Sequence, residues 1–348
     1  MDKKQVDFLK KDCADAASWS LEILGELKNQ KILVAGGTGF LGSWIAEFIA
    51  YLNDNHQFNT SLVILARNTD SFKDEKKHLA TRSDIQFISK DIRNINELPE
   101  DISYIIHAAA SPDNRNHVSN PIETISTITK GTDNLIDSAF KLPDLKKFLY
   151  ISSGQVYGKS IMKKELISES DFGSFDCNKV TAVYPEAKRL AEATCCAYSS
   201  QYKLPIVIAR PFSFIGPYQL LSKPWAINNF INDALNNKII RIIGSGDPKR
   251  SYMYPADLVV WILKILISGK NNSAYNVGSP HGISLKDLAN KIVDIAQTKI
   301  AIDIKFNNQD LSRYVPDISF CERDLGLKIN YNFDDTIRRS IAWFKLLS

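Results

Sequence analysis

Cysteine is scarce and scattered: of five in 348 residues (Cys13, Cys177, Cys195, Cys196 and Cys321), no two form a C-x-x-C pair. That spacing offers no metal-ligand set and no dithiol redox motif. Adjacent Cys195 and Cys196 lie in a helical stretch and read as small packing residues, so reduced thiols and a cytoplasmic setting are expected. Long apolar runs are also missing. The most apolar one, Val259 to Ile267, is interrupted by Lys264 and falls well short of the roughly 20 residues a membrane span needs, so it reads as a buried helix. The N-terminus, Met1-Asp2-Lys3-Lys4-Gln5 followed by mixed charge, lacks the apolar stretch and cleavage site of a signal peptide, and no export is expected. Runs of one charge sign are absent as well. The net charge is +4 with Lys and Arg dispersed, which disfavours a nucleic-acid surface and leaves small anionic ligands open. No repeat or low-complexity tract is present.

What remains is an ordinary globular composition, 44% hydrophobic and 24% charged, long enough for a large α/β domain or a core with a smaller lobe. Residues 1–28 carry Leu21, Leu24 and Leu27 at helical spacing and are expected to form an N-terminal helical extension. From Lys31 short apolar runs alternate with helical stretches: 32–35, 62–66, 85–88, 104–108, 147–151 and 205–209. Runs apolar on both faces, separated by crossover-length helices, predict a doubly wound parallel sheet. After Arg210 the chain turns irregular, with Pro211, Gly216, Pro217, Pro224 and Gly244-Ser245-Gly246, then helical again at 257–267 and 284–297. The expected organisation is a dinucleotide-binding domain over 29–210, to which 250–277 returns, and a smaller substrate-binding lobe from 211–249 and 278–348.

The strand Ile32 to Ala35 runs into Gly36-Gly37-Thr38-Gly39-Phe40-Leu41-Gly42, followed by a helical stretch from Ser43 to Tyr51. Gly36 allows the tight turn, Gly39 lets backbone N–H groups approach a pyrophosphate, and Gly42 lets helix and strand pack closely. The strand–turn–helix context therefore predicts a Rossmann-type NAD(P) site, with Phe40 and Leu41 beside the anion at the helix N-terminus. At the end of the second strand stands Arg67 rather than an acid. A guanidinium suits the 2′-phosphate of NADP, which tips the reading slightly towards NADP, while stacking on adenine or facing solvent stays open. Asp91, in Lys90-Asp91-Ile92, is placed either to accept from the adenine amino group or to stabilise a turn.

Tyr184 and Lys188 stand four residues apart, hence on one face of a helix. A phenol is a poor base near neutral pH, and a neighbouring ammonium with a positively charged nicotinamide would favour its phenolate. Tyr184 could then take a proton from a substrate hydroxyl while the carbon bearing it gives up a hydride. The strand from Phe148 ends in Ser152-Ser153-Gly154-Gln155-Val156-Tyr157-Gly158, bringing a hydroxyl to the carboxyl edge where such sheets bind ligands.

A glycine turn, a serine strand end and a Tyr/Lys pair in this chain order resemble the extended short-chain dehydrogenases/reductases, in particular the NAD(P)-dependent nucleotide-sugar epimerase/dehydratase family. The resemblance runs from about Lys31 to Asn330. It implies a Ser153–Tyr184–Lys188 triad, with His107-Ala108-Ala109-Ala110 as the family's His-x-Ala-Ala loop, so that Ala108 and Ala109 join Asp91, Ile92, Tyr184 and Lys188 along the cofactor. On the substrate side it implies Ser111, Ser153 and Gln155. Arg210 to Pro217 resembles Arg-Pro-x-Asn-x-x-Gly-Pro, with Ser213 in the asparagine position. Lys249 to Asp257 resembles the segment whose arginine, here Arg250, meets the nucleotide diphosphate, with Arg313 as a second contact; a surface arginine paired with Asp is the other reading of each. Tyr275-Asn276-Val277-Gly278 is a further landmark, and a homodimer through helices around 131–140 and 184–202 is implied.

The departures are informative. Gly154-Gln155 stand where sugar 4,6-dehydratases of this type carry Asp-Glu, and an amide cannot take the C5 proton or protonate a leaving hydroxyl. Dehydration, and decarboxylation of the kind that retains the glutamate, are disfavoured. Ile128 also stands where a helix asparagine is frequent. The expected activity is hydride transfer at a ring carbon, C4 foremost, of a nucleoside-diphosphate sugar in carbohydrate biosynthesis. The alternatives are NADPH-dependent reduction of a 4-keto sugar nucleotide and a non-catalytic dinucleotide-binding scaffold.

Overall fold

The structure, a computed structural model, describes residues 1–158, 161, 164–305 and 311–347. Its first elements are α1 (Lys3–Ser20), β1 (Lys31–Ala35), α2 (Phe40–His56), β2 (Ser61–Ala66), α3 (Asp70–Glu75), α4 (Lys77–Ala80) and β3 (Ile85–Ser89). They are followed by β4 (Tyr104–His107), α5 (Asn114–Ser119), α6 (Pro121–Phe140), β5 (Lys147–Ile151), α7 (Val183–Tyr202) and β6 (Ile206–Pro211). The later elements are α8 (Ala226–Leu235), β7 (Ile240–Ile242), β8 (Lys249–Arg250), α9 (Pro255–Ser268), β9 (Ala274–Val277), β10 (Ile283–Ser284) and α10 (Leu285–Ala296). The last are β11 (Ile302–Ile304), β12 (Arg313–Tyr314), α11 (Ser319–Leu325) and α12 (Phe333–Lys345).

Seven strands form the main sheet in the order β3-β2-β1-β4-β5-β6-β9. The first six pair in parallel. The order is that of a doubly wound dinucleotide-binding sheet, with its reversal between β1 and β4. The central strands β1, β4 and β5 are buried along their length, apart from a half-buried first residue in β1 and β5, because both faces are covered by helices. Leu33, Ile105, Phe148 and Ile206 meet Ile128, Leu135 and Ile136 of α6 in one core cluster. Gly131 lets α6 close onto the turn after β3: a Cβ there would lie 2.6 Å from Ile92 Cγ2. The N-terminal extension is helical, begun by a capping box between Asp2 and Gln5, and its Leu9, Cys13, Ala16 and Ala17 are buried.

The chain divides into two compact units, one of residues 1–156, 175–210 and 259–275, the other of 157–174, 211–258 and 276–348. These boundaries differ from the sequence expectation at 157–174, 250–258 and 276–277, which fall in the second unit, and at 1–28, which fall in the first; residues 306–310 and 348 of the expected lobe lie outside the described residues. The segment 157–174 belongs to the second unit because buried Asn276 gathers it: Tyr157 Oη donates to Asn276 Oδ1 at 2.6 Å, and Asn276 Nδ2 donates to Ile167 O at 2.8 Å and Asp317 O at 3.1 Å. Residues 250–258 also fall there, since Asp257 accepts from the backbone N–H groups of Asn330 and Tyr331, both at 3.0 Å. A local apolar pattern carries no information about either long-range hydrogen-bond set. Among the described residues, no helix is long and apolar enough to cross a membrane.

The tightest point of the β1–α2 unit is Gly42, where a Cβ would stand 2.3 Å from Gly37 O and 2.4 Å from its Cα. Backbone cannot rotate away as a side chain can. Gly42→Ala is therefore expected to lower stability by about 1–3 kcal/mol, the usual cost of overpacking, read as a lower urea midpoint. An unchanged midpoint would show that the turn can open.

Candidate active site

The turn after β1 and the loop after β4 meet at the carboxyl edge of the sheet. Gly36 has φ +82°, and a Cβ on it would sit 2.6 Å from Ala108 O and 2.9 Å from Ala109 Cα. Only glycine relieves both the left-handed backbone and the close approach. Gly39 is the N-cap of α2 and supplies no side-chain cap, so the first-turn N–H groups are left for a ligand, at the end of the dipole that favours an anion. Phe40 and Leu41 open that helix, both half-buried. The loop is held from below by buried His107: Nε2 lies 2.9 Å from Thr132 Oγ1, which itself donates to Ile128 O at 2.6 Å. The ring therefore donates through Nε2, and Nδ1 accepts from Ala109 N at 3.5 Å. Burial, with the charge of Lys188 behind it, pushes His107 down to about 3, so the ring is neutral. The residues present fit a dinucleotide: a glycine cradle, an anion-ready helix end and a fixed loop opposite.

At the end of β5 the two serine hydroxyls part company. Ser153 Oγ accepts from Gln155 N at 3.2 Å and stands near enough to the Tyr184 phenol to ease its ionisation, whereas Ser152 Oγ is buried without a hydrogen-bond partner. Tyr184 and Lys188 both start α7 and both are buried, at 5% and 3% exposed. Lys188 Nζ donates to Ile151 O at 2.7 Å, stands 4.8 Å from the Tyr150 ring centre and 6.0 Å from that of Tyr184. One turn further on, Glu192 pairs with Arg210 through two hydrogen bonds of 3.0 and 2.7 Å.

The sequence pattern predicts that Lys188 eases ionisation of Tyr184; in this chain alone burial dominates both groups. Desolvation pushes the Tyr184 phenol up to about 12 against the opposing effect of the Ser153 hydroxyl. It pushes Lys188 down to about 7 against the favourable charge of Glu192. A charged form of either group must be stabilised by what binds beside it.

The remaining site residues fall into three groups. Ser111, Ser153, Gln155, Tyr184 and Lys188 share the first unit, with Gln155 half-buried and Ser111 exposed. At the adenosine end, Arg67 is exposed and already paired with Glu123 at 3.2 Å. Asp91 takes its turn role: it caps residues 92–94 through Arg93 N at 2.9 Å and holds the Arg93 guanidinium at 2.9 and 2.7 Å. Those hydrogen bonds keep its carboxyl below the usual range. The Ile92 side chain is buried in the core cluster, so only its backbone is free to meet a cofactor. In the second unit Arg250 and Arg313 stand on neighbouring strands, β12 running parallel to β8 with Tyr314 opposite Arg250. Arg250 Nη1 donates to Lys249 O at 2.7 Å, and Ser213 O accepts from Met253 N at 3.0 Å.

Sequence reasoning passed over His117. Its ring lies flat on Tyr184, centres 4.0 Å apart and planes 6° apart, yet a lone histidine in a short helix carries no motif. Among the described residues, no group of three or more His, Cys, Asp or Glu is placed to hold a metal ion.

Comparison with known proteins agrees with this architecture. The model of the NAD dependent epimerase/dehydratase family matches residues 32–278. The chain is 27% identical over 326 residues to UDP-glucuronic acid decarboxylase 1 of Xenopus tropicalis, covering 93% of this chain and 74% of that protein. To dTDP-D-glucose 4,6-dehydratase of Dictyostelium discoideum it is 31% identical over 279 residues, covering 77% and 62%. An epimerase structure from Methanothermobacter thermautotrophicus superposes with a TM-score of 0.79 at 22% identity, over 95% of this chain and 96% of that one, a likeness of fold. With its glycine turn, strand order and most of its length matched, the chain belongs to the NAD dependent epimerase/dehydratase family.

Proposed function

We propose that this protein is an NAD-dependent enzyme that removes and returns a hydride at a ring carbon, C4 foremost, of a nucleoside-diphosphate sugar, inverting that carbon. The observation that carries the reading is the buried Tyr184 phenol, its ionisation eased by Ser153, beside Gly154-Gln155: one proton-transfer group stands at the strand end, with no carboxyl at the two positions after Ser153. Bound NAD supplies the hydride acceptor and, once reduced, the donor. Tyr184 takes the C4 hydroxyl proton and returns it. Ser153 orients the hydroxyl, and Lys188 sets the charge beside the phenol. Arg250 and Arg313 hold the diphosphate through charge-assisted hydrogen bonds. Although similar chains bear the names decarboxylase and dehydratase, Gln155 cannot move a proton as a carboxyl can.

NAD is proposed over NADP. The sequence reading leaned on Arg67, but that guanidinium has Glu123 as its counter-ion, and Glu123 also pairs with Arg93 at 2.8 Å. With Asp91 also on Arg93, two carboxylates balance the two guanidiniums, so no net positive charge awaits a 2′-phosphate. Reduction of a 4-keto sugar by NADPH loses its support with it.

The deciding experiment is mass spectrometry of the purified protein for retained NAD(H), then a screen of UDP-, dTDP-, GDP- and CDP-sugars for inversion. Retained NAD(H) and a C4-inverted product support the proposal; consumption of NADPH with a 4-keto sugar would replace it with a reductase. Tyr184→Phe is expected to lower kcat by about 10²–10⁴-fold, the range for losing one acid–base group, with NAD affinity within about twofold of the parent by calorimetry. Glu123→Ala should raise affinity for NADP relative to NAD, and an unchanged ratio would show that Glu123 does not set the preference.

Lys188 gives a pH test. Its native value of about 7 lies below the roughly 10.4 of an unfolded lysine, so between the two the unfolded chain holds a proton that the native chain lacks. Stability therefore rises with pH across that window, and the cost of burying the ammonium is present in full below it. In cofactor-free protein Lys188→Met should gain most over the parent near pH 6 and progressively less towards pH 9, read as urea midpoints. A gain independent of pH would mean that the native lysine titrates normally.

A further inference from the structure

His117 is buried, at 4% exposed, in the short helix α5, which packs against residues 180–182 leading into α7. The helix is fixed by Asp113, which accepts from Arg115 N at 3.1 Å and pairs with its guanidinium at 2.9 Å. From this base the imidazole lies parallel to the Tyr184 phenol, 4.0 Å away. Its Nε2 is 2.7 Å from Ser111 O. A carbonyl only accepts, so Nε2 carries the proton, and burial lowers the ring's pKa towards the neutral form. The ring is thus tied at one edge to the loop after β4 and offers a flat, uncharged face to Tyr184.

Tyr184 is packed in the apolar core cluster, but χ2 of an aromatic ring is a broad, soft torsion and the ring plane still needs a flat neighbour to set it. Ser153 stands on the hydroxyl side of Tyr184, where it eases ionisation of the phenol, and the Lys188 ammonium stands 6.0 Å from the ring centre. Among the described ring contacts of Tyr184, the imidazole is the one stacked parallel to it and so bears directly on the ring plane. We propose that His117 is a positioning residue that holds the Tyr184 phenol in the orientation from which its proton moves, and couples that orientation to the loop carrying Ser111. This rests on the proposed role of Tyr184 in proton transfer.

Two substitutions separate the flat face from the hydrogen bond. His117→Phe keeps a ring but loses the Nε2 donor, whereas His117→Asn keeps an N–H donor and loses the ring; His117→Leu replaces the latter if it fails to fold. Crystal structures of the full chain with NAD read the first outcome without any sugar. Tyr184 should occupy one orientation in His117→Phe, and should spread over several orientations in His117→Asn. With UDP-glucose, or the sugar nucleotide found by the screen, His117→Asn should lower kcat about 10- to 100-fold, as a misplacement near 1 Å does. KM and NAD affinity should stay within about twofold, and His117→Phe should recover most of the loss. A Tyr184 ring unmoved in His117→Asn, a His117→Phe enzyme as impaired as His117→Asn, or a raised KM at unchanged kcat would each overturn the proposal. If the parent turns over no sugar nucleotide, the functional reading fails, while the ring placements still decide the role of His117.

Discussion

Where β1 and β4 lie side by side the chain leaves the sheet in opposite directions, and the first unit is organised around the gap this opens. Its walls are the turn at Gly36 and the loop at Ala108, so close that a single Cβ would drive one into the other. The approach requires the glycine, aims the N-terminus of α2 along the sheet edge, and sets where the loop carrying Ser111 begins. His107, buried and neutral beneath that loop, holds it by a donor–acceptor chain from Ala109 N to Thr132 and on to Ile128. A parallel sheet makes this edge a site because all six paired strands end there together.

Desolvation is the second organising force. Tyr184 and Lys188 are buried at the start of one helix, and each is pushed towards its uncharged form. Neither group is stranded: Lys188 meets the Ile151 carbonyl and the Tyr150 ring, and Glu192 lies one helical turn beyond it. Glu192 is itself held by Arg210 on both oxygens, so a chain of charge reaches the lysine from the end of β6. Such an environment is costly when empty and favours whatever bound group supplies the missing charge. Buried, shifted pairs of this kind are concentrated at functional sites.

The second unit has its own apolar core, with residues such as Ile231, Ile242, Leu288 and Ile337, and two buried polar joints tie its separate stretches together. Asn276 joins three separate stretches of chain through its amide, and Asp257 caps the turn before α12 from the start of α9. These polar knots are buried and satisfied, which makes them specific joints. They carry the small sheet β10-β8-β12, on which Arg250 and Arg313 sit.

The sequence by itself determined the parallel sheet, the glycine turn and the Tyr/Lys face, because each is written in local spacing: apolar runs of strand length, glycines at strand-to-helix context, and two residues one helical turn apart. It also held the absence of carboxyls at Gly154-Gln155. Tertiary structure alone decided the rest. It set Ser153 rather than its neighbour Ser152 where a hydroxyl eases ionisation of the Tyr184 phenol, and buried Ser152 Oγ without a partner. It gave Arg67 a counter-ion in Glu123, 56 residues away, and gave Asp91 to Arg93. It set segment 157–174 in the second unit through Asn276, and brought His117 onto Tyr184. Each of these is a contact between side chains distant in sequence, and their direction depends on how the crossovers close, which no local period records.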